Sequence, residues 1–79
     1  MTRRVLVLGG TGFVGRSLCE HLVRAGWAVT VPTRRAAHAR AVQHLPGLTV
    51  CTANVHDASA LDRLLPGHDA VVNLVAVLH

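Results

Sequence analysis

The run Gly9-Gly10-Thr11-Gly12-Phe13-Val14-Gly15 is where residue type and spacing first suggest chemistry. Gly9, Gly12 and Gly15 give a G-x-x-G-x-x-G spacing, and Gly10, Gly12 and Gly15 also satisfy G-x-G-x-x-G. In such a turn each glycine has its own task. The first lets the chain leave a strand sharply, the middle one lets a diphosphate approach the backbone without a Cβ between them, and Gly15 lets helix and strand pack closely. Thr11, Phe13 and Val14 fill the intervening positions and bring main-chain N–H groups to the same place. A helix N-terminus there adds about half a positive charge, which suits phosphate oxygens. The competing reading is a turn used for packing alone. A strand before the glycines and an amphipathic helix after them are the context the diphosphate reading requires.

A second set of residues bears on which dinucleotide is held. An NAD-selective site places Asp or Glu after the second strand, to accept hydrogen bonds from the ribose 2′-hydroxyl. Between Glu20 and Asp57 this chain has no acidic residue, and Thr33-Arg34-Arg35 occupies that region. A guanidinium pairs with a 2′-phosphate that a carboxylate would repel, and Thr33 adds a candidate hydroxyl donor. The expected cofactor is therefore NADP(H) rather than NAD(H). Against this, adjacent side chains seldom face one ligand, so both arginines could simply solvate a loop.

Other chemistry is excluded by composition. Tyr and Lys are absent, which removes a phenolic acid, a Schiff-base amine and a P-loop lysine from these residues. Catalytic groups, if any, must come from elsewhere. The six histidines show no H-x-x-x-H or H-E-x-x-H spacing, and His21, His38, His44, His56 and His68 fall on polar faces or loops, so solvated side chains rather than metal ligands are expected. Cys19 and Cys51 lie far apart without C-x-x-C, which suits buried, inert thiols in a reducing, cytoplasmic setting. Eight Lys+Arg against four Asp+Glu give a formal charge of +4, but the arginines are scattered and stacking aromatics amount to Phe13 and Trp27. No nucleic-acid partner is expected.

The elements that must position these residues alternate along 79 residues, enough for one small domain or part of a larger one. Apolar residues make up 51% and charged residues 15%, as a packed core needs. Val5 to Leu8 is apolar on both faces, as in a buried parallel strand, and stops too soon for a membrane span. Val14, Leu18, Leu22 and Ala25 recur at helical spacing over Phe13 to Ala25, and Gly26 ends that helix. Trp27 to Val31 reads as a second strand, finished by Pro32. A short helix is expected over the Ala-rich stretch Ala36 to Leu45, closed by Pro46-Gly47, and a third strand over Leu48 to Cys51. Asp57 or Ser59 caps a helix through Ala60, Leu61, Leu64 and Leu65 that Pro66-Gly67 terminates, and Asp57 is the favoured cap. A fourth strand spans Ala70 to Val75.

This βαβαβαβ pattern implies an α/β fold: part of a doubly wound, Rossmann-type parallel sheet in the order 3-2-1-4, with right-handed crossovers. The third crossover helix then lies alone on the second face. With His79 directly after a strand, the fourth strand is an edge and that face is thinly covered, so a marginal, association-prone chain is expected.

Val5-Leu6-Val7-Leu8-Gly9-Gly10-Thr11-Gly12-Phe13-Val14-Gly15-Arg16 resembles the opening of the extended and atypical short-chain dehydrogenase/reductases, and the likeness runs over essentially the whole chain. Val31 to Arg35 and Val72 to Leu78 look most like the branch that includes the nucleotide-binding accessory subunit of respiratory complex I. The resemblance implies that residues 1–79 are the N-terminal portion of a dinucleotide-binding domain. It places the adenine ring near Asn54 and Val55, with Asn54 standing where the family usually has Asp. It also passes the cofactor's ribose and phosphates along Val75 and Ala76, by backbone contact. The family's Tyr-x-x-x-Lys acid would lie downstream of the fourth strand. Two functions are implied: an NADP(H)-dependent oxidoreductase or epimerase-like enzyme acting on a small molecule, or a non-catalytic NADPH-binding subunit associated with a respiratory complex.

Overall fold

The computed structural model describes residues 2–9, 12–40 and 42–74. Strand β1 spans Arg4–Leu8, helix α1 Phe13–Arg24, β2 Ala28–Thr33, β3 Leu48–Thr52, α2 Ala58–Leu64 and β4 Ala70–Asn73. A single 3-10 turn covers Ala36–Ala39. The four strands form one sheet in the order β3-β2-β1-β4, and every pairing is parallel. Central position explains the composition of β1. With neighbours on both edges and layers on both faces, Val5, Leu6, Val7 and Leu8 are all buried. Arg4 joins the strand because its N–H donates to Asp69 Oδ2 at 2.8 Å, while Asp69 N–H donates to the Arg4 carbonyl at 2.7 Å.

The core sits on one face of the sheet. Val5, Val7, Val29 and Val31 pack against Cys19 of α1 and against Ala39 and Val42, with Leu18, Leu22, Leu45 and Leu48 around them. Burying each such valine contributes about 1.5–3 kcal/mol, more than an exposed ion pair's ~0–1 kcal/mol, so this layer fixes where α1 sits. The second face is thinner, as the topology requires. Leu6 is fully buried there, yet α2 contributes no buried residue and Val71 remains exposed.

Several expectations need correction. Strand β2 does not finish at Pro32 but continues through Thr33, pairing Pro32 with Cys51 and Thr33 with Thr52. Ala28 N–H donates to Arg3 on the β1 side, while Val29 N–H and the Thr33 carbonyl bond toward β3. Pro32 therefore belongs to the β1-facing set, and its missing N–H leaves the β3 ladder intact.

The helix expected over Ala36 to Leu45 is one 3-10 turn followed by further turns, with Val42 N–H and Gln43 N–H both donating to the Ala39 carbonyl. Ala39, Val42 and Leu45 meet the core at intervals of three, the 3-10 period, and no side chain caps the turn. His68 is half-buried rather than solvated, because its Nε2 lies 3.0 Å from Thr30 Oγ1 on the second face. Cys51 is half-buried rather than buried, since β3 is an edge strand among the described residues.

Candidate functional site

Because all four strands run the same way, the segments that follow them emerge along one edge. In order across the sheet these are Asn54-Val55 after β3, Arg34-Arg35 after β2, and Gly9 to Gly12 after β1. Val75 and Ala76, expected to follow β4 along the same edge, lie outside the described residues, as do Gly10 and Thr11. The chain order reverses between β1 and β4, so the glycine turn stands at the switch point, where open α/β sheets form their ligand crevice.

The turn is built by backbone geometry. Gly9 has φ +82°, a left-handed conformation open to glycine at no steric cost. Gly12 N–H donates back to the Gly9 carbonyl at 3.3 Å. Gly12 is then the N-cap of α1, extended at φ −77° and ψ 176°, with no side chain capping the helix. The first intrahelical bond is Arg16 N–H to the Gly12 carbonyl at 2.9 Å, so the amides of Phe13, Val14 and Gly15 precede the helical ladder. No acidic residue stands in the first turn to neutralise the positive end of the helix.

The Phe13 side chain is 83% exposed and Val14 66%, so what they bring to the turn is their N–H groups. The Arg16 guanidinium lies 5.8 Å from the Phe13 ring centroid. Gly15 is buried where α1 crosses the sheet, in keeping with close packing.

Arg34 and Arg35 are both exposed just past β2, the strand that pairs with β1. Thr33 is not the outward-facing donor the sequence suggests. It is only 7% exposed, and its hydroxyl is engaged with the backbone of Arg35. Beyond β3, Asn54 Oδ1 accepts from His56 N–H at 3.0 Å, which orients the amide, and Val55 is half-buried. Asp57 caps α2 by accepting from Ser59 N–H at 3.0 Å. A cleft of about 340 Å³ opens between the end of β3 and α2, and Arg63 of α2 lines it along with Asn54 and Asp57. No motif or spacing in the sequence marks Arg63 for this cleft.

Two further arginines stand away from this edge. Arg3, above the Trp27 ring at 5.9 Å, and Arg4 stand at the opposite end of the strands. Burial pushes the Cys19 and Cys51 thiols above their ordinary value, which leaves both protonated at neutral pH. Among the described residues no three His, Cys, Asp or Glu side chains come together as metal ligands, and no helix is long and apolar enough to cross a membrane.

Comparison with known proteins matches residues 5–79 to the model of a family described as NAD dependent epimerase/dehydratase. A UDP-N-acetyl-alpha-D-glucosaminuronate decarboxylase of Bacillus cytotoxicus is 30% identical, over 99% of this chain and 25% of its own length. A decarboxylating sterol-4-alpha-carboxylate 3-dehydrogenase of Dictyostelium discoideum is 28% identical, over 96% of this chain and 23% of its own. Among solved structures, the Bordetella bronchiseptica enzyme WbmG in complex with NAD superposes with a TM-score of 0.79 at 30% identity, covering 99% of this chain and 26% of that one. The chain thus spans about a quarter of the length of these relatives.

Proposed function

The chain belongs to the NAD-dependent epimerase/dehydratase family, and from that premise we propose that residues 1–79 are the N-terminal, dinucleotide-binding portion of an NADP(H)-dependent oxidoreductase or epimerase-like enzyme. The observation that carries the reading is the glycine turn at the switch point, with uncapped first-turn amides and no acidic side chain beside them. Those residues fit a diphosphate. The amides of Phe13, Val14 and Gly15 would bond its oxygens, and Gly12 would leave room for its approach.

The order of segments along the edge supports the rest. With strands in the order β3-β2-β1-β4, the Arg34-Arg35 loop after β2 would meet the adenosine ribose, and Asn54 and Val55 after β3 would meet the base. The family's nicotinamide cofactor would supply hydride transfer. What these residues do is bind and orient it. By the family resemblance, Val75 and Ala76 would pass along the cofactor's ribose and phosphates.

Preference for NADP(H) rests on the arginines and on the lack of an acidic residue between Glu20 and Asp57. Titrating NADPH and NADH against the full-length polypeptide by nucleotide fluorescence tests it: NADPH should bind more tightly, and tighter NADH binding would overturn the preference. The catalytic acid belongs to residues outside these 79, since Tyr and Lys are absent here. The rival reading is a non-catalytic NADPH-holding subunit associated with a respiratory complex, which would use the same crevice. Both curated relatives carry enzyme names, which favours catalysis. A Tyr-x-x-x-Lys downstream, together with turnover of a small-molecule substrate, separates the two. The cytoplasm is the proposed setting.

A further inference from the structure

Thr33 ends β2 with its one hydroxyl proton and one of its lone pairs engaged locally. Its Oγ1 donates to the Arg35 carbonyl at 3.2 Å and accepts from Arg35 N–H at 3.4 Å. A hydroxyl has one proton, so a Thr33 that donates to Arg35 does not also donate to a ligand. The side chain is 7% exposed, and its position is fixed by the ladder to Thr52 and by the bond from Ala53 N–H to the Thr33 carbonyl at 2.9 Å. Both ends of the clamp are therefore defined: a rigid strand terminus on one side, and the peptide groups of Arg35 on the other, held extended at φ −132° and ψ 118°. Arg34 is the single residue enclosed between them. Its backbone is confined while its guanidinium stays exposed at the edge where the dinucleotide would lie.

We propose that Thr33 is a positioning residue for the 2′-phosphate subsite: its hydroxyl closes the turn that presents Arg34, and so sets the preference for NADPH over NADH. This rests on the NADP(H) reading above. NADPH gains from a guanidinium already held in place, whereas NADH, which lacks the 2′-phosphate, does not draw on it. Releasing the clamp frees one backbone residue that NADPH binding must then reorder, a loss of about tenfold in affinity.

The test measures NADPH and NADH dissociation constants for the full-length polypeptide with Thr33→Val, Thr33→Ser and Arg34→Ala. Thr33→Val keeps the shape without the hydroxyl and should lower the NADPH-to-NADH preference about tenfold. Thr33→Ser restores the hydroxyl and should keep the preference of the unaltered protein, and Arg34→Ala should abolish it. Equal weakening of both nucleotides by Thr33→Val, or an unchanged preference while Arg34→Ala removes it, overturns the positioning role and leaves the NADP(H) reading standing. No NADPH preference in the unaltered protein overturns both. If Thr33→Val does not fold, Thr33→Ser decides: a retained preference supports the clamp, and a collapsed one refutes it.

Discussion

Gly9 and Gly12 lie three residues apart, yet the structure gives an added methyl group opposite consequences at the two positions. Gly9 has φ +82°, where an L-residue is strained by about 1–2 kcal/mol. Alanine there also puts at risk the turn bond from Gly12 N–H to the Gly9 carbonyl. Gly12 has φ −77° and ψ 176°, which alanine adopts freely, and a Cβ on it would meet the Gly9 carbonyl at 3.6 Å, an ordinary contact. At an N-cap, alanine is poorer than glycine, an effect of under about 1 kcal/mol. The reduced freedom of the unfolded chain returns a similar amount, about 0.4–1 kcal/mol. Gly12→Ala should therefore be close to neutral, and Gly9→Ala should destabilise by about 1–2 kcal/mol. In a chain of this size that difference lowers the melting temperature by roughly 4–15 °C. Thermal unfolding followed by circular dichroism reads it directly. Equal melting temperatures, or Gly12→Ala as the less stable of the pair, would refute the assigned turn geometry.

Removing the α2 cap by Asp57→Ala should lower stability by about 1 kcal/mol in urea titrations, and Ser59→Ala by less, because Asp57 supplies the accepting oxygen. Leu6→Ala empties a fully buried position in the central strand and should cost about 2–5 kcal/mol in the same titrations. With both thiols raised above their ordinary value near 9.0, labelling by a thiol reagent at pH 7 should be slow, and Cys51 should react before the fully buried Cys19. The same shifts set a sign for stability. Folding favours the protonated thiol, so this contribution is fully present below pH about 9 and is lost as pH rises through the folded-state values. Denaturation midpoints that rise above pH 9 in the unaltered protein, but not in a Cys19→Ala, Cys51→Ala double variant, would contradict it.

Strand order and the glycine turn were legible because each rests on local signals that agree. Val5 to Leu8 is apolar on both faces, which suits a central parallel strand, and the glycines follow at the spacing that a strand-to-helix turn needs. Composition misled at Ala36 to Leu45: alanine favours an α-helix, but the apolar positions 39, 42 and 45 already repeat every three residues. Pro32 misled because a proline stops only the ladder its missing N–H faces, and that side follows from pairing, not from sequence. Tertiary placement decides the remaining cases. His68 meets Thr30 from 38 residues away, the direction of the Thr33 hydroxyl depends on where β2 ends, and Arg63 reaches the cleft beside Asn54 only once α2 has packed.

The most direct measurement is NADPH binding to the full-length polypeptide carrying Gly12→Ala, set beside its melting temperature. If first-turn amides hold the diphosphate, the methyl group should weaken binding at least tenfold while melting stays within a few degrees, since loss of even one hydrogen bond to a charged oxygen amounts to about 1.5–3 kcal/mol. Unchanged affinity in a folded Gly12→Ala protein would contradict it.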